Sequence, residues 1–187
     1  MEELFKYFEK FLLLSEESKK SIREICSFAS IPKNQELQPI GHTCRTVYFI
    51  KKGIARIYYY KEDIDITEYF AFENNIIARA ESLFTGKPSK KGIQVLEDSQ
   101  IIAINATQLY KLYDDYPQIE RVFRLIFEAA YVDAIHRIES IQFCSAKERY
   151  LALLHETELV NRIALKHIAS YLGVTQVSLS RIRASLN

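Results

Sequence analysis

The chain has 187 residues, which is enough for one domain or two small ones, and its apolar fraction of 48% excludes a globally disordered protein. The formal net charge is only +1, which taken alone argues against a nucleic-acid partner. No apolar run approaches the ~20 residues that span a bilayer, and the N-terminus lacks the basic segment of a signal peptide, so we expect a cytoplasmic protein without a membrane partner.

The first 32 residues predict two helices that pack on the rest of the chain. Ser15 is placed to cap the second helix, because its hydroxyl can accept a free N–H of the first turn, and Pro32 ends the helical region. The predicted apolar faces are Leu4, Phe5, Phe8, Phe11 and Leu12 in the first helix and Ile22, Ile25, Cys26 and Ala29 in the second.

The stretch 31–104 changes to short β-rich runs separated by turn residues, at 36–40, 46–50, 54–60, 64–72, 76–78, 92–96 and 101–105. This spacing predicts an all-β sandwich, barrel or jelly roll. A loop-rich insert at 79–92 carries one carboxylate and several cations. The insert fits a pocket for an anionic ligand and fits an ordinary solvated loop equally well. The candidate ligand-binding residues are Arg79, Glu81, Ser82, Ser89, Lys90 and Lys91.

A short helix at 106–113 is followed by the longest helical pattern of the chain, at 118–143. At 1.5 Å per residue this second helix outruns the core of a small domain, so part of its apolar stripe needs another cover. A second copy of the same helix about a two-fold axis is favoured over burial within one chain. Asp133 and Arg137 interrupt a strict heptad, which predicts helix pairing without a long regular zipper.

The end of the chain predicts two short helices joined by a tight turn. The run Ser145 to Glu148 has capping-box spacing for a preceding helix, in which Tyr150, Leu151, Leu153 and Leu154 are expected to be buried, and 155–161 is a polar connector, either a small turn or a wing. Gly173 stops the next helix and Thr175 can cap the last one. In that last helix, Val177, Leu179 and Ile182 are expected to face inward. Gln176, Ser178, Arg181 and Arg183 are left for solvent or a partner, as in a helix-turn-helix.

The charge is unevenly divided along the chain. Residues 159–187 carry four cations and no Asp or Glu, so the remaining 158 residues carry net −3. A cationic end on an acidic body is the asymmetry expected of a modular DNA-binding protein.

The whole chain resembles the CRP/FNR family of bacterial transcription factors. The segment KHIASYLGVTQVSLSRIR is similar to a subgroup pattern of the family, VYFIKKGIARI resembles its β-roll core, and ESLFTGKPSK resembles the insert of a branch known chiefly from Bacteroidetes. The resemblance implies an α+β fold: a β-roll sensor domain resembling cyclic-nucleotide-binding domains (1–117), a dimerisation helix (118–143) and a winged helix-turn-helix (144–187).

The resemblance implies that Gln176, Ser178 and Arg181 contact bases and phosphates, and Arg and Gln have the donor geometry to read guanine and adenine. Thr175 at the helix start suits a phosphate. Lys166 and Arg183 are expected either to contact the DNA backbone without base specificity or to be solvated charges. For Arg162 both alternatives stay open. The implied partners are double-stranded DNA, a second copy of the chain and RNA polymerase.

The pattern for cyclic nucleotides is only partly present. Glu81 stands where the family has a glutamate for the ribose, but an alanine precedes it, and Lys90 and Lys91 stand near the expected arginine. Lysine lacks the bidentate fork with which arginine binds a phosphate, so a cyclic nucleotide is not expected as the ligand. Control by an effector of another kind stays an open alternative. The three cysteines are widely spaced and assign neither an iron–sulfur cluster nor a disulfide framework.

The alternative function is a small-molecule-binding β-roll protein or a cupin-like enzyme without DNA binding. A cupin metal site needs clustered His and Glu ligands on neighbouring strands, but only His42 of the four histidines falls in the β region. A regulator that acts through protein contacts alone is a third hypothesis, and the polar face of the terminal helix argues against it. We therefore expect a non-enzymatic regulator.

Overall fold

The computed structural model describes residues 1–186, apart from the side chain of Leu159. Helices α1 (Glu2–Glu9) and α2 (Glu16–Glu24) open the chain, and the Ser15 side chain caps α2 by accepting a hydrogen bond from Ser18 N, as the sequence predicts. The predicted continuation of α2 to Ala29 is wrong. Residues Cys26–Ile31 form strand β1, because each of them pairs with a residue of strand β8 (Ser99–Asn105) and the sheet outweighs the local helical pattern.

Within the described residues, eight strands build two antiparallel four-stranded sheets, which confirms the predicted all-β domain. The strands that follow β1 are β2 (Glu36–Gln38), β3 (Thr46–Lys52), β4 (Ala55–Lys61), β5 (Ile64–Ala71), β6 (Asn75–Ile77), β7 (Gly92–Val95) and β8 (Ser99–Asn105). The first sheet has the order β1–β8–β3–β6 and the second has the order β2–β7–β4–β5. Apolar side chains of both sheets meet in a shared core, among them Tyr48, Ile50, Ile57, Ile93 and Ile101. This β-roll is the scaffold on which the candidate sites are built.

Gly53 joins β3 to β4 in a conformation that only glycine adopts without strain. Its φ is +107°, and a Cβ added there would lie 2.2 Å from Ser99 Oγ and 3.0 Å from Ser99 Cα. We expect Gly53→Ala to destabilise the fold by about 3 kcal/mol, because positive-φ strain adds to this steric clash. Thermal or urea unfolding measures the effect. Gly41→Ala is the matched control, since Gly41 also has a positive φ, of +84°, but has open space around it; equal losses for the two variants would contradict the argument.

Three further helices attach to the β-roll. The insert at 79–92, predicted to be a loop, contains helix α3 (Ala80–Thr85), and α4 (Ala106–Asp115) leads into the 27-residue helix α5 (Pro117–Phe143). The first half of α5 packs into the core that α1 also enters, through Ile119, Val122, Phe123 and Ile126. The second half of α5 extends beyond that core.

The remaining described residues, 144–186, are helices and turns, so no strand of a wing occurs among them. They form α6 (Ala146–Glu156), a 3-10 helix (Glu158–Arg162) in the predicted connector, α7 (Leu165–Tyr171) and α8 (Gln176–Ala184). The predicted capping box between Ser145 and Glu148 is confirmed. Leu151 is an exception to the predicted apolar face of α6, because 41% of its surface is exposed. None of the described helices combines the length and apolar content that crossing a bilayer requires.

A second core joins this C-terminal unit to the β-roll. Ile54, Phe70 and Leu96 of the β-roll pack in one cluster with buried residues of the C-terminal helices, among them Tyr150, Leu153, Ile168, Leu172 and Leu179. The two parts of the chain therefore share buried apolar surface in this conformation.

Candidate nucleic-acid interface and effector site

The turn between α7 and α8 is a Schellman motif. Gly173 has φ +69°, its N–H donates to Ser170 O at 3.1 Å, and Val174 N donates to Ala169 O at 3.0 Å. These two hydrogen bonds satisfy carbonyls at the end of α7 and turn the chain sharply into α8. The glycine signal in the sequence therefore places the turn correctly.

Helix α8 begins at a capped N-terminus and presents a polar face to solvent. Thr175 Oγ1 accepts a hydrogen bond from Ser178 N at 3.1 Å and lies 3.0 Å from Ser178 Oγ. Leu179 is fully buried and anchors the helix, whereas Gln176, Arg181 and Arg183 are exposed. The predicted partner-facing residues thus lie on the solvent side, with Ser178 hydrogen-bonded to the cap.

Two residues of this exposed face are additional to the predicted set. Val177, which the sequence places among the inward-facing residues, has 62% of its surface exposed instead, and Ser180 is exposed one turn after Gln176. An exposed valine beside Gln176 on a short helix is a surface feature that packing does not explain. The helical period alone could have identified both positions, because only Leu179 and Ile182 lie on the opposite, packed side.

The other cations of the C-terminal segment lie near the β-roll. Lys166 lines a cleft of about 400 Å³ between the two parts of the chain, together with Lys33 and His167. Arg162 forms ion pairs with Glu73 and Glu97. The structure therefore places Lys166 at the cleft beside the β-roll, and two acidic residues of the β-roll neutralise Arg162.

Arg56 of β4 is the polar centre of the junction between the β-roll and α7. Its buried guanidinium donates to both carboxylate oxygens of Asp65 at 2.6 and 2.7 Å, to Gln94 Oε1 and to Thr67 Oγ1, and its Nη1 lies 2.9 Å from His167 Nδ1. Arg56 has no acceptor atom, so the imidazole accepts this hydrogen bond and carries its proton on Nε2. Nothing in the local sequence around Arg56 or His167 indicates this contact, which joins residues 111 positions apart.

The ionisation of this cluster follows from burial and from the arginine charge. Burial and the Arg56 charge lower the pKa of His167 to about 4, so the ring is neutral near pH 7. Burial alone would raise the pKa of Asp65, but its hydrogen bonds to Arg56 and the arginine charge outweigh burial and hold that pKa below its usual value. The junction is therefore an ion pair with a neutral histidine acceptor.

Two further arginines hold the end of α7. Arg137 of α5 donates to Tyr171 O, with its guanidinium 3.6 Å from the Tyr171 ring centroid, and its Nε donates to Glu68 O at 3.3 Å. Arg149 of α6 donates to Leu172 O at 2.7 Å. These contacts fix the end of α7 against α5, α6 and strand β5.

The predicted effector residues separate into a buried group and an exposed group. Arg79, Ser82 and Ser89 are buried, Lys91 is half-buried, and Glu81 and Lys90 point to solvent. Ser82 Oγ accepts from Cys44 N and donates to Lys87 O, so its hydrogen bonds hold the insert itself. Arg79 Nε donates to Ser89 Oγ at 3.2 Å. Arg79, Ser89 and Lys91 are thus brought together, and Glu68 of β5, which sequence reasoning missed, joins them.

The second half of α5 exposes a regular apolar seam. Phe127, Tyr131, Ala134, Ile138 and Ile141 follow one another at spacings of four and three residues. Tyr131, Ile138 and Ile141 are 67%, 51% and 53% exposed. Arg137 turns away from the seam toward Tyr171, so it does not interrupt the seam as the sequence suggested.

Comparisons with known proteins agree with this architecture. Residues 28–116 match the cyclic nucleotide-binding domain family. The chain is similar to the structure of FixK2 from Bradyrhizobium japonicum, with 19% identity, coverage of 87% of this chain and 84% of that chain, and a TM-score of 0.74. It is also similar to the c-di-GMP responsive global regulator CLP from Xanthomonas campestris, with 13% identity, coverage of 92% and 91%, and a TM-score of 0.73.

A third similar structure is a protein from Eubacterium rectale described as a transcriptional regulator of the CRP/FNR family, with 20% identity, coverage of 92% and 83%, and a TM-score of 0.72. No curated protein matches the chain in sequence. The likeness to these structures shows a shared fold and confirms the resemblance at that level. Membership of the branch known chiefly from Bacteroidetes stays a prediction.

Proposed function

We propose that this chain, which contains a domain of the cyclic nucleotide-binding family and shares its fold with a CRP/FNR regulator, is a homodimeric, sequence-specific DNA-binding transcription regulator. One observation carries the proposal: a capped helix, α8, exposes Gln176, Val177, Ser180 and Arg181 at the cationic end of an otherwise acidic chain. The similar structures include proteins named as regulators, which supports a regulatory rather than an enzymatic role.

The chemistry of that face suits the major groove. Arg181 can donate two hydrogen bonds to guanine O6 and N7, Gln176 can pair with adenine N6 and N7, and the methyls of Val177 can contact a thymine methyl. The first N–H groups of α8 and the Thr175 cap suit a phosphate, as does the charge of Arg183. Lys166 would reach a phosphate only where the DNA passes the cleft between α7 and the β-roll.

The second copy would pack along the seam of α5. Two α8 helices related by a two-fold axis would then enter successive major grooves about 34 Å apart, on a pseudo-palindromic site. An effector at the β-roll that prefers one arrangement of the α7 contacts would change the affinity for DNA. RNA polymerase as a partner stays a prediction, as do the domain boundaries at 117 and 143.

Selection of bound sequences from random duplex DNA tests this function. We expect an enriched pseudo-palindrome whose half-sites lie about one helical turn apart, and a binding constant that falls steeply with rising salt. Binding that is indifferent to salt, or a selection that enriches no sequence, would overturn the proposal.

Arg181→Ala is expected to weaken binding to the selected site by about 1–3 kcal/mol and to relax the preference at one guanine in each half-site. The reason is the loss of a bidentate hydrogen bond that alternative bases cannot form. Mobility shifts with a series of single-base variants of the site measure both effects. Arg183→Ala is the matched comparison. It should weaken binding to all single-base variants of the site alike and lower the salt dependence by about one charge. If instead Arg183→Ala weakened binding base-selectively and Arg181→Ala did not, Arg183 would be the base-contacting residue and Arg181 the phosphate-contacting one.

A further inference from the structure

The anion site predicted in the β-roll already contains a carboxylate. Glu68 Oε1 pairs with Lys91 Nζ, and Glu68 Oε2 lies 3.5 Å from Arg79 Nη1. The side chain of Arg79 is nine-tenths buried, and its Nε is bound to Ser89 Oγ. The two cations that could neutralise a bound anion are therefore paired with a residue of the same chain.

A β-bulge aims Glu68 at these cations. Along the β4–β5 pair, Ile57 faces Tyr69 and Tyr58 faces Thr67, so Glu68 is the additional residue of β5 and has no partner in β4. A bulge of this kind reverses the in-and-out alternation of a strand and redirects one side chain. The main chain at this point is also held by the hydrogen bond from Arg137 Nε to Glu68 O. The carboxylate is thus directed to the site by the fold itself.

The carboxylate only partly satisfies the site. Glu68 Oε2 is buried and accepts no hydrogen bond from the residues that the structure describes, because Arg79 Nη1 approaches it as an ion pair without hydrogen-bond geometry. A phosphate has more acceptor oxygens than a carboxylate and could use the free donors of the arginine. With Glu68 in place, however, an incoming anion meets a negative charge within a few ångströms.

We propose that Glu68 is a built-in counter-ion that occupies the anion site of Arg79, Ser89 and Lys91. The site takes a phosphate-bearing ligand only when this carboxylate is neutralised or moved away. The native β-roll therefore discriminates against phosphates through a charge that the chain itself supplies. The inference rests on the proposed effector site in the β-roll and is independent of DNA binding.

Glu68→Gln tests the proposal in the full-length chain, because it removes the charge and keeps the shape. Isothermal titration calorimetry is performed with inorganic phosphate, cyclic AMP and cyclic GMP. We expect at least about tenfold tighter phosphate binding to the variant than to the wild type, as removal of one nearby like charge predicts. The added substitution Arg79→Met should abolish the gain. Phosphate alone reports the anion site, and any further gain with the nucleotides reports contacts to ribose or base.

Glu24→Gln is the matched control, since Glu24 is an exposed carboxylate of helix α2, outside the anion site; it should leave phosphate binding unchanged. Thermal unfolding establishes that each variant is folded, and Glu68→Ser replaces the glutamine variant if that one is not. The proposal would be overturned if the folded Glu68→Gln variant, or Glu68→Ser in its place, bound phosphate no more tightly than the wild type. It would also be overturned if the gain in phosphate binding survived Arg79→Met. Affinity for the selected DNA site, measured in parallel, reports on the proposed regulator function separately.

Discussion

Ile138→Glu is expected to convert the proposed dimer into monomers and to raise its dissociation constant by at least about 1,000-fold, equivalent to about 4 kcal/mol. Ile138 lies on the regular seam of α5 and is 51% exposed in the single chain. Around a two-fold axis the substitution brings two carboxylates to the same apolar interface, where each loses hydration and repels the other. Sedimentation equilibrium measures the dissociation constant.

The matched control is His136→Glu, which introduces the same side chain on α5 at an exposed position off the seam. It should leave the association unchanged. A monomeric wild type, or equal effects of the two substitutions, would contradict the proposed dimer. Affinity for a full palindrome should fall with Ile138→Glu while affinity for a single half-site is kept, because α8 itself is untouched.

Arg56→Met is expected to destabilise the chain by about 3 kcal/mol, which lowers the midpoint of thermal unfolding by roughly 6–12 °C. Arg56 is 2% exposed, and its removal leaves Asp65 without its cation and His167 Nδ1 without its donor. Its loss is destabilising because Asp65, whose side chain is 31% exposed, stays partly desolvated without its cation, and because Gln94, Thr67 and His167 lose their donor. Calorimetry or circular dichroism measures the change.

The contribution of the contact with α7 can be separated from the rest by a double-mutant cycle with His167→Leu. We expect a coupling energy of about 1 kcal/mol, since both side chains share one hydrogen bond across the junction. If the losses of stability in the two single variants simply added up in the double variant, the whole destabilisation by Arg56→Met would come from contacts within the β-roll. Lys51→Met is the control: its ion pair with Glu3 is more than a third exposed on both sides, and its loss should change stability by less than about 1 kcal/mol.

Hydrogen bonds from strand β5 connect the proposed effector site to α7, which gives the proposed regulator a physical route for control of DNA binding. Strand β5 supplies Glu68 to the anion site, and its Thr67 N donates to Ser170 Oγ of α7 at 3.1 Å. Arg137 links Glu68 O to Tyr171 O on the other side. Glu68 is therefore linked through Arg137 by two hydrogen bonds, and its neighbour Thr67 by one, to the helix that precedes the DNA-facing helix α8.

The amino-acid sequence by itself determined the features that depend on neighbouring residues. The caps at Ser15, Ser145 and Thr175, the turn at Gly173 and the long α5 all follow from side chains within a few positions of one another. The charge division and the exposed face of α8 were readable for the same reason, since a helical period assigns each residue to a side.

Only the tertiary structure decided the features that depend on distant partners. Cys26–Ile31 carries a helical apolar pattern, yet it becomes a strand because β8 offers six pairing residues. The Arg56–His167 contact and the redirection of Glu68 by a bulge each join segments whose approach depends on sheet register. The local sequence does not determine the pairing register of distant strands. The cations of the anion site could therefore be predicted from the sequence, but Glu68, the carboxylate that pairs with them, could not.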